Sequence, residues 1–114
     1  MKSDLVDPPA TCRVYVVELD RQVLRERKFR RENPLDSPQK LCLYVGSTAL
    51  SPEKRLRNHL IGHRANRYVY RYGLCLRPEF YRHYPPMGRY EAELTERELA
   101  LELREEGFAV WYNV

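Results

Sequence analysis

The sequence predicts a single mixed α/β (α+β) domain, and three observations carry that expectation. Alternating, β-branched runs at "CRVYVVELD" and "LCLYVGS" read as strands. A long stretch of helix formers, "YEAELTERELALELREE", is stopped by Gly107. The chain of 114 residues has the length of one domain, and its 43% apolar and 11% aromatic content is that of a folded protein.

The first strand is expected over residues 12 to 19, after a loose arm, residues 1 to 11, that ends near Pro8-Pro9. Residues 20 to 40 form a basic, proline-containing insertion. Within it "RQVLRERKFRR" reads as a short helix or a long loop, and "NPLDSPQK" as turn. The second strand, 41 to 46, pairs with the first as a hairpin across that insertion. Ser51, Pro52 and Glu53 then start a helix: the hydroxyl caps free N–H groups, proline is tolerated at the first helical position, and the acid suits the positive helix end. That helix should run from 52 to about 60, before Gly62, and a second short one over 64 to 72 should end at Gly73. "LCLRPEFYRHY" reads as a third strand cut short by Pro78, which favours an edge position. The long helix follows, and "FAVWYNV" is a candidate last strand. The element order is β-β-α-α-β-α, without internal repeats.

Net charge is only +4, which says little about partners, but its distribution says more. Residues 21 to 31 hold six cations and one anion, and Lys54, Arg55, Arg57, Arg64, Arg67 and Arg71 follow over 54 to 71 with no carboxylate among them. Acids gather between Glu91 and Glu106. A basic front and an acidic last helix suit a protein that meets a polyanion on one side. Cys12, Cys42 and Cys75 are scattered and odd in number, which predicts reduced and mostly buried thiols. No apolar leader or membrane-length run is visible, so a cytoplasmic or other intracellular protein without membrane association is expected.

The last helix gives the sharpest chemical clue. Ala92, Leu99 and Leu103 share a face, with Ala100 beside them, and Glu96 falls within that apolar stripe. A carboxylate there is costly unless it is paired or binds a cation. It is therefore either a partly exposed Glu bridged to an Arg, or a metal ligand or general base. On the first long helix Arg55 and His59 lie four apart, with His63 a turn further if the helix continues. The planar Arg fork suits phosphate oxygens, and a His beside it can move protons near neutral pH. The competing reading is a solvated basic helix, which is preferred for Arg57. His59 and His63 also have zinc-ligand spacing, with Cys42 and Cys75 to complete a set, but no Cys-x-x-Cys supports it.

"VYV" at 14 to 16, "YVG" at 44 to 46, Arg55, His59 and Glu96, in this order and spacing, resemble the GIY-YIG nuclease family over about residues 12 to 113. The first motif appears as "RVY", keeping Tyr15 but not Gly and Ile, and the second as "YVG", with Val for Ile. "YVGST…EKRLRNHL" resembles the family's strand-turn-helix, and "ELTERELALELREEGFAV" its last helix. The resemblance implies a small three-stranded antiparallel or mixed sheet flanked by helices. It implies metal-dependent hydrolysis of DNA phosphodiesters. Glu96 would hold one Mg²⁺ or Mn²⁺, Arg55 would clamp the scissile phosphate, and Tyr15 and Tyr44 would orient or deprotonate the attacking water. A phenol of ordinary pKa near 10 is a poor base, so either nearby cations lower it or His59 relays the proton. Asn113 matches a polar residue that the family often has after the last helix.

The insertion at 20 to 40 is longer than the family's usual connection. Its cations, among them Arg25, Arg27, Lys28, Arg30 and Arg31, are either a phosphate contact, together with Arg64 and Arg67, or a solvated loop. The tyrosines of "RYVYRYGLCLRPEFYRHY" either stack on bases or pack on the sheet. "LYVGS" also resembles the first strand motif of RNA recognition domains, but the second aromatic motif is missing. The leading expectation is a DNA endonuclease, with single-stranded, duplex and branched substrates unresolved and sequence specificity low unless the insertion or a protein partner supplies it. The alternatives are a nucleic-acid-binding module on the same scaffold that does not cut, and a protein-interaction domain.

Overall fold

The computed structural model describes residues 10–113. Most of the arm expected over residues 1 to 11 lies outside the described residues. The chain runs β1 (Arg13–Leu19), a 3-10 turn (Arg21–Arg25), α1 (Arg27–Glu32), β2 (Cys42–Thr48), α2 (Pro52–Leu60), α3 (Arg67–Tyr72), β3 (Gly73–Leu76), α4 (Arg89–Glu105) and β4 (Ala109–Tyr112). The sheet is mixed, with order β3-β1-β2-β4. Strands β1 and β2 are antiparallel in the expected hairpin, with Tyr15 opposite Gly46, while β4 runs parallel to β2. Among the described residues no helix is long and apolar enough to cross a membrane.

The sheet thus has four strands where the family resemblance implied three. Gly107, at φ 100, stops α4, and Ala109 and Val110 are then buried alongside β2. Only a glycine takes that backbone conformation without strain. The third strand stops early before Pro78, as expected: β3 ends at Leu76, and Pro78 opens a 3-10 turn over Pro78–Phe80. It does occupy an edge.

Central β1 is buried on both faces, so its run of Val residues hardly alternates. Helix α4 lays Ala92, Glu96, Leu99, Ala100 and Leu103 against one face of the sheet. The opposite face carries α1, α2 and α3, where Phe29, Tyr68 and Trp111 form one aromatic cluster. The insertion is therefore packed rather than loose: Val23 and Phe29 are fully buried, and Arg21 closes it by donating to the Lys40 carbonyl at 2.7 Å. Asn33 fastens its end to edge strand β4, accepting from Val110 N–H at 2.7 Å and donating to the Val110 and Phe29 carbonyls. Paired this way, the outer side of β4 is not open to a further strand at Val110.

Candidate active site

Strand β4 stops at Tyr112, opposite Val45, while β2 continues through Gly46, Ser47 and Thr48. These three residues pair with β1 on one side and, among the described residues, have no strand on the other. The result is a notch in the sheet. Side chains of α4 line one cleft beside it and side chains of α2 line another, and the two clefts share Ser47 and Arg89. Alternation along β2 sends Tyr44 toward α2 and Ser47 toward α4.

On the α2 side, Tyr15 Oη lies 2.8 Å from His59 Nε2. The other ring nitrogen, Nδ1, accepts the Asn66 backbone N–H at 3.0 Å. An amide N–H can only donate, so Nδ1 carries no proton, and in the neutral ring the proton resides on Nε2. Burial first, and then the Arg55 charge, pushes the His59 pKa down to about 4, so the ring is neutral at pH 7. His59 is therefore a donor to the Tyr15 oxygen, and the expected relay through His59 does not fit this arrangement.

Arg55, one turn before His59 on α2, donates to the Arg64 carbonyl at 2.9 Å. Arg64 sits at φ 50, in the left-handed region that non-glycine residues seldom occupy. One turn after α2 thus fixes two site residues, its Arg64 carbonyl holding Arg55 and its Asn66 amide holding His59. The Asn66 side chain meanwhile caps α3, accepting from Tyr68 and Val69 N–H.

On the α4 side, Glu96 is 4% exposed and Oε2 accepts from Ser47 Oγ at 2.9 Å. Oε1 is buried and has no hydrogen-bond partner among the described residues. Burial raises the Glu96 pKa to about 7, against the Ser47 hydroxyl and the Asn113 amide, which lower it. Asn113 also donates from Nδ2 to Tyr44 Oη at 2.6 Å, so one residue after β4 touches both faces of the notch. Burial pushes Tyr15 up to about 12, with Arg55 and the Tyr44 hydroxyl acting against it. Tyr44 is raised well above the usual phenol value, by burial and then by the Tyr15 and Glu96 charges.

An oxygen left without a partner inside a protein is costly, and a cation satisfies it. Glu96 lines a cleft of about 570 Å³ with Ser47, Glu93 and Asn113. Among the described residues no three His, Cys, Asp or Glu side chains converge. A lone carboxylate fits a hard ion such as Mg²⁺, which keeps several waters and needs only one or two protein carboxylates. The zinc arrangement is not formed. Helix α2 ends at Leu60, so His63 lies in the following turn, exposed, and both His59 nitrogens are engaged.

No family model, no curated protein and no solved structure matches the chain.

Tyr15, Tyr44 and His59 form one buried cluster, linked through Asn113 to the cleft of Glu96, whereas Arg55 does not line that cleft. Arg64 lines the neighbouring cleft with Arg55. Arg67 lies elsewhere, pairing with Glu26 at 3.4 Å beside Arg71 at 3.3 Å. The insertion cations stay apart from both clefts: Arg25 donates to Gln22, Lys28 lies over Trp111, and Arg27, Arg30 and Arg31 are exposed on α1. The thiols divide three ways, with Cys42 buried, Cys12 half-buried and Cys75 exposed, against the expectation that most are buried. Cys75 lies on the exposed edge strand, where alternation gives no cover. Sequence reasoning passed over Ser47 and Asn66. Strand alternation after Gly46 was a usable signal for Ser47; the Asn66 contact is made by its backbone and leaves no signature in residue type.

Proposed function

We propose that the protein is a divalent-metal-dependent endonuclease that hydrolyses DNA phosphodiester bonds at the notch beside Gly46. The observation that carries this reading is the buried Oε1 of Glu96, without a hydrogen-bond partner among the described residues, beside a cleft whose Asn113 also donates to Tyr44. Tyr15, Tyr44, Arg55, His59 and Glu96 are also the residues on which the GIY-YIG resemblance rests.

Mg²⁺ or Mn²⁺ on Glu96 would supply a Lewis acid that neutralises charge on the phosphoryl oxygens. Arg55, half-buried and held by the Arg64 carbonyl, presents the rest of its guanidinium to a phosphate oxygen. Tyr15 and Tyr44 position the attacking water. The His59 N–H and the Arg55 charge both favour the Tyr15 phenolate, the form that abstracts a proton. In the free protein burial outweighs them, so Tyr15 waits protonated at neutral pH and becomes a base only when more positive charge enters the cleft.

The test is incubation with single-stranded, duplex, nicked and branched DNA, with and without Mn²⁺, beside Glu96→Ala and Arg55→Ala. Metal-dependent product that both substitutions abolish, with DNA binding largely retained, is the expected result. Salt-sensitive binding with no metal-dependent product from any substrate would replace this reading with a module that binds without cutting.

A further inference from the structure

A second, smaller cleft of about 320 Å³ adjoins the first and shares Ser47 and Arg89 with it. Arg55, Asn58, His63, Arg64 and Arg89 line it, and among the described residues no carboxylate does. Its cations arrive from three places: helix α2, the turn that follows it, and the first residue of α4. Arg89 lies 3.8 Å from Glu93, which lines the adjoining cleft. Both of those side chains are mostly exposed, so the contact is screened and weak. Arg64 has no carboxylate partner among the described residues.

The backbone at Arg64 adds an independent observation. It is the one non-glycine at positive φ among the described residues. Glycine or asparagine would occupy that position with less strain, and the carbonyl that holds Arg55 would be kept by either. Strained backbone of this kind clusters at active sites and ligand clamps. Here the side chain borders a cleft of uniform positive charge that opens onto the Glu96 site.

Resting on the nuclease reading, we infer that Arg64, Arg89 and His63 form a second phosphate subsite, which takes the phosphodiester next to the scissile one. A single DNA strand would then run from Glu96 across Ser47 to Arg64. Arg forks suit non-bridging phosphate oxygens, and Asn58 offers an amide donor beside them. Contacts to a phosphate that does not react strengthen ground state and transition state alike, so they act on KM rather than on kcat.

The test uses the double variant Arg64→Asn with Arg89→Gln, since Asn keeps the left-handed backbone while losing the charge. Binding is read in a Glu96→Gln background from the slope of log K against log salt. Loss of this one phosphate contact should flatten that slope by about 0.7–0.9. In Mn²⁺-dependent cleavage KM should rise about tenfold with kcat within about twofold, unlike Arg55→Ala. Should the double variant fail to fold by circular dichroism, Arg89→Gln alone leaves the turn intact and should show about half the slope change. An unaltered slope in a folded variant, or a fall in kcat at fixed KM, overturns the subsite. If the parent binds DNA but cuts none, the nuclease reading falls alone, and the slope still decides the subsite. If the parent does not bind DNA, both fall.

Discussion

His59 donates to Tyr15: the imidazole Nε2 lies 2.8 Å from the phenol oxygen while an amide N–H occupies Nδ1. This makes His59 a positioning residue, one that holds the Tyr15 oxygen and favours its ionised form. His59→Leu removes that donor, and cleavage should fall about a hundredfold, with the alkaline rise of the pH–rate profile moved to higher pH. His59→Gln restores an N–H and should recover part of the loss. Were His59 itself the base, both substitutions would lose activity equally and the alkaline limb would not move.

Glu96 makes stability depend on pH in a direction opposite to that of most carboxylates. Its pKa is raised from 4.5 to about 7 by burial, so the folded state holds the proton more tightly than the unfolded one. Stability from this group is complete below about pH 4.5 and is lost as pH rises through about 7, a change of about 3 kcal/mol. Thermal melts of Glu96→Gln should lack that decline and exceed the parent's Tm at pH 8. Mn²⁺ should raise the parent's Tm at pH 8 far more than at pH 5, where the carboxyl is protonated, and should leave Glu96→Gln unmoved. A metal shift that survives the substitution would place the ion elsewhere.

Features governed by short-range periodicity were legible in the sequence. The stripe Ala92, Glu96, Leu99, Ala100, Leu103 follows from helical spacing, and all five are buried. Ser51 caps α2 as its position before Pro52 implies, with Oγ accepting from Lys54 N–H at 3.1 Å. What the sequence withheld depends on tertiary contacts. The tautomer of His59 is set by an amide seven residues on, and the left-handed backbone of Arg64 has no glycine to announce it. Strand β4 was only a candidate, because a four-residue apolar run does not distinguish strand from helix end. In the insertion Val23 and Phe29 stand among dense charges, with too few apolar residues to show a periodicity, yet their burial decides that the segment is packed.

Asn33 should matter for stability and not for chemistry. It is 5% exposed, satisfies both backbone groups of Val110 and lines neither cleft. Asn33→Ala leaves a buried N–H and removes one of the carbonyl's partners, although Arg104 still donates to that carbonyl at 2.7 Å. Urea unfolding should show a loss of about 2 kcal/mol. DNA affinity of the folded fraction should stay within about twofold. A larger change in affinity would tie β4 to the site more closely than Asn113 alone requires.

Gly46 is where the fold and the chemistry make one demand on one residue. A Cβ built there would lie 2.8 Å from Tyr15 Oη, 2.8 Å from a Tyr44 ring carbon and 2.9 Å from Tyr15 Cζ. Neither ring can withdraw freely. Tyr15 is held by His59 and Tyr44 by Asn113, and both are essentially fully buried. Gly46→Ala should therefore cost about 1–3 kcal/mol through overpacking. The displacement falls on the phenols themselves, so cleavage by the folded fraction should drop about a hundredfold, more than the stability loss accounts for. Gly107→Ala serves as the contrasting variant: its strain comes from φ 100 and its nearest neighbours are Ser37 and Lys40, away from the notch. It should lower Tm while the activity of the folded fraction is kept. If Gly46→Ala behaved like Gly107→Ala, losing stability and sparing activity, the two phenols would not be part of the reacting constellation.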